Sequence, residues 1–185
     1  MTGSNTTKKA FAKALKELMN EKQFEKISIS DICDMCNRNR KSFYYHFKDK
    51  YDLVNWIFDT EFIAIAESKN YEDSWEFFVD ISKFFEENRT FYRKALCIQG
   101  QNSFSNHFRE LVLQAITKRL QAAYGKEGNG EFQINFFADA LVMTFQRWIL
   151  EYDGMQPAEF VEQLKICCRY MAIKYDGTEA EGMKG

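Results

Sequence analysis

Between positions 38 and 50 the chain reads RNRKSFYYHFKDK, a dense run of hydrogen-bond donors. Arg38, Asn39, Arg40, Lys41, Ser42, Tyr44, Tyr45, His46 and Lys50 include no pairing of a nucleophile with an orienting base, so the set suits binding more than reaction. Guanidinium, ammonium and phenol groups match phosphate oxygens, while arginine, lysine and asparagine also match base edges. Phe43 and Phe47 are four residues apart, the spacing of one helix face, which leaves the donors to fill the rest of the surface. A short helix built this way plants two rings in the protein and turns a cationic, phenolic side outward. That is what entry into a major groove about 12 Å wide requires. Lys50 follows Asp49, a residue type that caps helices, so its cation stands at the positive end of a helix dipole. A phosphate bound at that helix start would relieve the clash.

No other chemistry competes. The two histidines, His46 and His107, are 61 residues apart, and there is no nucleophile elbow, metal motif or glycine-rich nucleotide loop. The glycines at 128 and 130 follow no strand and precede no Lys-Ser/Thr pair. Cys33 and Cys36 lack a second ligand pair at zinc spacing, and five cysteines are an odd number for a disulfide framework. The chain is therefore not expected to be an enzyme, and no metal or cofactor is expected.

The elements that hold the donor stretch are legible from spacing. Phe11, Ala14, Leu15, Leu18 and Met19 form one apolar stripe, predicting a first helix over 7–22 capped by Thr6 or Thr7. Ser28 can cap a second helix over 29–36, with Asp31 in its first turn and Ile32, Cys33 and Cys36 inward. Asn37 ends that helix, because asparagine tolerates a left-handed backbone, and Asn39 caps a third over 40–47. Asp49 caps a fourth, with Leu53, Trp56, Ile57 and Phe62 on its stripe. Two short helices joined by a tight turn after a longer one make a tri-helical helix-turn-helix over 6–50. Five more helices are expected near 72–87, 90–98, 104–124, 131–153 and 157–175, separated by Asn88, Gly100, the glycines of 125–130, and Gly154 with Pro157. The fold class is all-α. The expected domains are 1–50 for DNA binding and 51–185 for regulation and dimerisation, with residues 1–5 and the tail 177–185 disordered.

Charge divides the same way. The whole chain carries 25 basic and 27 acidic residues, but residues 1–50 hold 11 and 6 and residues 51–185 hold 14 and 21. A basic first quarter on an acidic remainder suits a polyanion-facing module joined to one with another task. No signal-like h-region opens the chain and no apolar run approaches a membrane span, so a cytoplasmic protein with no membrane contact is expected.

The stretch ISISDICDMCNRNRKSFYYHFKDK, residues 27–50, resembles the DNA-binding signature of the TetR/AcrR family. Asp31-Ile32-Cys33, Ser42 through Phe47 and Lys50 carry the likeness. The longer run NRKSFYYHFKDKYDLVNWIF looks like the family's branch of dihydroxyacetone kinase regulators. The resemblance implies phosphate clamps at Tyr44, Tyr45, His46 and Lys50, and base-edge contacts from Asn39, Arg40, Lys41 and Ser42. Ser28 at the start of the second helix joins the DNA-contacting set, and Phe43 and Phe47 are implied to be core. Asn37 stands at the usual turn glycine, and Arg38 at a position that is usually apolar and buried. A buried guanidinium would be costly, so Arg38 is expected to turn outward, toward phosphate.

The resemblance also implies a homodimer on double-stranded, palindromic operator DNA, acting as a repressor under an unknown small-molecule effector. In a different reading, a partner regulator supplies the signal and the chain acts as a coactivator-type protein. Candidate pocket residues are Trp56, Phe62, Trp75, Phe78, Phe91, Phe104, His107 and Phe108, although ordinary core is the plainer reading of any single ring and exposed surface the other reading of His107. The last two helices resemble the family's dimerising pair, which suggests Phe137, Leu141, Phe145, Trp148, Phe160, Leu164 and Cys168 at the interface.

Overall fold

Apolar residues at helical spacing fold the chain into helix after helix, and the described residues contain no strand. The structure, a computed structural model, describes residues 2–71, 73–100, 103–124 and 130–175. The elements are α1 (Thr2–Glu21), a 3₁₀ turn (Phe24–Lys26), α2 (Ile29–Met35), α3 (Arg40–His46), α4 (Lys50–Phe58), a π-helical turn (Asp59–Ile63), α5 (Ala64–Ala66), α6 (Ser74–Glu87), α7 (Arg89–Leu96), α8 (Phe104–Tyr124), α9 (Glu131–Glu151) and α10 (Pro157–Tyr175). The expected helices fall within a few residues of these bounds.

Two expectations change. Helix α1 begins at Thr2, so residues 2–5 are helical and not disordered. Once the stripe from Phe11 anchors a helix, each further residue adds a hydrogen bond for little extra cost. The fourth helix does not run on as one regular α-helix. The Ala64 amide bonds back to the Asp59 carbonyl, five residues earlier, and α4 passes through a π-turn into α5. The expected tail at 177–185 and the loop residues 125–129 lie outside the described residues.

The helix-turn-helix is held by rings. Phe11 of α1 meets Phe43 edge-on at 5.3 Å and Phe47 at 6.3 Å, and Phe47 in turn meets Trp56 of α4 at 5.6 Å. Offset and edge-to-face contacts of this kind are the favoured geometries for aromatic pairs. A second ring cluster lies inside the remaining helices. Phe58 touches Phe85, Tyr92, Phe104 and Phe108 at 5.2–6.1 Å. Helices α8 and α9 pack along each other, and α10 lies on α6. Trp148 stacks on Phe160 at 4.4 Å and donates its indole N–H to the Met155 carbonyl. The buried side chains join into one continuous core from Phe11 to Leu164.

Candidate nucleic-acid interface

The turn between α2 and α3 sets the presentation of α3. Asn37 takes the left-handed conformation at φ 51°, the Asn37 amide bonds to the Asp34 carbonyl and the Arg38 amide to the Cys33 carbonyl. This is a Schellman ending, with asparagine where glycine is commonest. Asn39 then caps α3 by accepting the Ser42 amide at 2.8 Å, and its exposed amide nitrogen remains as a donor. Phe43 and Phe47 are buried, which fixes the rotation of α3 and leaves its other side in solvent.

That outward side carries most of the expected contacts. Arg38, Asn39, Arg40 and Lys41 are exposed, and Ser42 and His46 are half-buried. Tyr44 is 50% exposed and Tyr45 82%. Arg40 lies over the Tyr44 ring, 5.9 Å from its centroid, with its guanidinium 3.4 Å from the phenol oxygen. The His46 ring sits in the last turn of α3, 4.9 Å from Tyr45 and 6.5 Å from Phe11. Arg38 points out as expected and carries no buried charge.

Two members of the expected set are committed elsewhere. The Lys50 ammonium donates to the carbonyls of Phe24 at 2.7 Å, Ile27 at 2.8 Å and Glu25 at 3.4 Å, and lies 4.3 Å from the Phe24 ring centroid. An ammonium has three donors, so all are engaged and none is left for phosphate. Burial pulls its pKa below the ordinary lysine value, with the Glu25 charge acting in the other direction. Lys50 ties the start of α4 to the turn before α2. Lys48 takes the outward place: it is exposed, and its ammonium has no partner among the described residues. Ser28 is the second correction. Its hydroxyl accepts the Asp31 amide, and its amide and hydroxyl both donate to the Asp31 carboxylate at 2.8 Å. This reciprocal cap uses both Ser28 donors and holds the Asp31 carboxyl below its ordinary range through those bonds.

The expected pocket residues do not line one space. Trp56 belongs to the DNA-binding end, against Phe47 and under the Lys8 ammonium, which stands 5.6 Å from its ring. Phe62, Phe78, Phe91, Phe104 and Phe108 are buried among other rings. Trp75 is half-buried on an open groove of about 610 Å³ beside Tyr71, Glu76 and Lys165, with the buried Phe78 ring 5.7 Å away. His107 meets Asp59 of the π-turn at 2.6 Å.

The interface candidates fall into two groups. Phe145, Trp148, Phe160 and Leu164 are buried inside the chain itself. Phe137, Leu141 and Cys168 are half-buried at the edge. The exposed apolar residues of α9 stand on the neighbouring stripe: Phe132 at 80%, Phe136 at 54% and Met143 at 59%, with Tyr170 of α10 also exposed. Their spacing of four and seven does not stand out in the sequence, because α9 is apolar on several faces at once.

A short capped helix anchored by two phenylalanines, with cations and phenols outward and a multi-helix body behind it, defines a helix-turn-helix DNA-binding protein. Residues 12–57 match the family described as bacterial regulatory proteins, tetR family, and residues 72–169 match the transcriptional regulator C-terminal region. The chain belongs to the TetR family of DNA-binding transcriptional regulators, and is not an enzyme. A curated relative from Lactococcus lactis subsp. lactis, the HTH-type dhaKLM operon transcriptional activator DhaS, is 31% identical over 99 residues. The match spans about half of each protein, 53% of this chain and 53% of the relative. The solved structure of a dihydroxyacetone kinase operon activator DhaS is similar over 90% of this chain and 97% of its own, at 22% identity and a TM-score of 0.65. A TetR regulator from Streptococcus agalactiae aligns over 86% of this chain and 92% of its own, at 22% identity and a TM-score of 0.68. These two likenesses establish the fold. Among the described residues no helix is long and apolar enough to cross a membrane.

Proposed function

We propose that the chain works in the cytoplasm as a homodimer that reads a palindromic operator, with two copies of α3 in successive major grooves about 34 Å apart. Residues 1–50 do the reading and residues 51–185 regulate and dimerise. The exposed donor face of α3 carries this reading. Arg38, Tyr44, Tyr45, His46 and Lys48 contact phosphates, and Asn39, Arg40, Lys41 and Ser42 meet base edges. The Phe132, Phe136 and Met143 stripe of α9, with Tyr170, supports the dimer, because a second copy would cover rings otherwise left in water. The test begins with selection of bound sequences from a random duplex pool, followed by anisotropy titration in rising salt. A two-fold motif and a steep salt dependence are expected. Bound sequences with no two-fold symmetry would refute the operator model.

A second reading concerns control. In the first, a small effector enters the C-terminal helices and tilts α4, making the chain an effector-released repressor. The curated relative is named as a dhaKLM operon activator and the solved structure as a dihydroxyacetone kinase operon activator, which favours activation of such an operon. The expected pocket rings are packed against other rings, Phe62 on Phe84 at 5.2 Å and Phe104 on Phe108 at 6.2 Å, which favours a partner regulator as the signal. Thermal-shift screening with small metabolites, dihydroxyacetone included, separates the two: a shift that also changes operator affinity supports the effector.

A further inference from the structure

Neither α1 nor α9 carries a basic residue in its own last turn. Both helices therefore end on carbonyls whose partial negative charge is uncompensated within the helix. The cations come from a third helix. Lys94 of α7 donates to the Met19 and Asn20 carbonyls at the end of α1, the second at 3.1 Å. Arg89 of the same helix donates to the Trp148 and Tyr152 carbonyls at 2.8 and 2.9 Å, and Arg93 to the Leu150 carbonyl at 2.7 Å, all at the end of α9. Arg89 and Arg93 are one turn apart and share a face, while Lys94 is rotated about 100° from Arg93. The eight residues of α7 are thereby wedged between two helix ends.

The arms are held firmly. Arg89 lies over the Trp148 ring at 5.5 Å and pairs with Glu86 at 2.5 Å, and Arg93 pairs with Asp153 at 3.1 Å. On the other side the Lys16 ammonium of α1 lies 5.5 Å from the Phe91 ring of α7 and pairs with Glu61 of the π-turn at 2.5 Å. Phe91, Tyr92, Ala95 and Leu96 bury the body of α7 in the core.

We propose that α7 is a strut that sets the angle of α1, and with it α3, against α9, with Lys94 as the positioning residue at the DNA-binding end and Arg89 and Arg93 at the other. This deepens the operator reading, because in a dimer built on α9 the strut fixes how far apart the two α3 helices stand. It places the link at carbonyl ends, where a small rotation of α9 is passed to α1 through one rigid helix.

The test compares the full chain with Lys94→Met, which keeps the stem and removes the charge, and with Lys94→Arg as the conservative rescue. The first readout is hydrogen–deuterium exchange without DNA. In Lys94→Met, amides of residues 18–36 are expected to exchange about tenfold faster while those of 138–149 stay unchanged, and Lys94→Arg is expected to restore protection. The second readout is affinity for the selected duplex with its half-sites moved apart by one and two base pairs. Lys94→Met is expected to lose about tenfold of its preference for the original spacing, which a plain loss of stability would not alter. Equal acceleration in both segments, no acceleration in 18–36, or an unchanged spacing preference overturns the strut. Should the unaltered chain select no duplex, the operator reading fails and the exchange comparison still decides the strut.

Discussion

Replacing Lys50 by methionine separates two roles for one cation. As a phosphate clamp, Lys50 would supply affinity and one unit of salt dependence; as an internal tie, it supplies stability and neither of those. The ammonium makes two bonds under 3 Å and a longer one at 3.4 Å, and covers the Phe24 ring. Hydrogen bonds from a charged donor contribute about 1.5–3 kcal/mol, and an exposed cation–π contact about 0.5–1 kcal/mol. Burial of the cation opposes that gain and is the cause of the lowered pKa, and the methionine stem keeps much of the apolar packing. The expected net loss is about 1–3 kcal/mol, or a Tm lower by roughly 2–12 °C for a chain of this size. Urea unfolding followed by circular dichroism measures it, and Trp56, which touches Phe47, adds a fluorescence signal from the DNA-binding end once Trp75 and Trp148 are replaced by phenylalanine in both chains. The slope of log affinity against log salt should not change. A variant of normal stability whose slope falls by about one unit would show that Lys50 leaves the three carbonyls for a phosphate, and would refute the tie.

Three further outcomes are expected. Tyr45→Ala should leave unfolding within about 0.5 kcal/mol of the unaltered chain, because the ring is in solvent, and weaken duplex binding about tenfold by anisotropy. Phe43→Ala removes a fully buried ring that Phe11 and Phe47 both touch, and should cost about 3–5 kcal/mol in urea unfolding. The Tyr71 phenol is pushed up to about 12 by burial and by its hydrogen bond to Asp80, so ultraviolet titration should show it ionising there and Asp80→Asn should lower the value. A folded pKa above the unfolded value near 10 makes this contribution complete below about pH 10, and it should fade as pH rises toward 12.

The local signals were the readable ones. Ser28, Asn39 and Asp49 each cap the helix that their residue type and place suggested, and Asn37 takes the left-handed turn. Phe43 and Phe47 face in because a spacing of four leaves few alternatives. What failed depends on direction over longer range. Lys50 has a flexible four-carbon stem, and its sequence position does not tell that three carbonyls from residues 24–27 surround its tip. Ser28 offers one hydroxyl to two roles, DNA contact and helix cap, and the cap takes its donors. On α9, Phe145 and Trp148 look the same in sequence as Phe136 and differ only in which neighbour covers them, so spacing alone does not separate its buried stripe from its exposed one. The π-turn left no composition signal at all.

That turn changes what a measurement of helix content would mean. On a regular α-helix every fourth residue runs about 40° ahead of the last. Val54, Phe58, Phe62 and Ala66 are nonetheless all buried, because the wider turn at Asp59–Ile63 takes up the drift. Deleting Thr60 would give a straighter, more regular rod, yet swing Phe62 and Ala66 by about 100° away from their partners. Circular dichroism could rise while the native packing is lost, so ellipticity is a poor gauge of correctness in this segment. The flaw in the spiral keeps its two ends in phase with different neighbours.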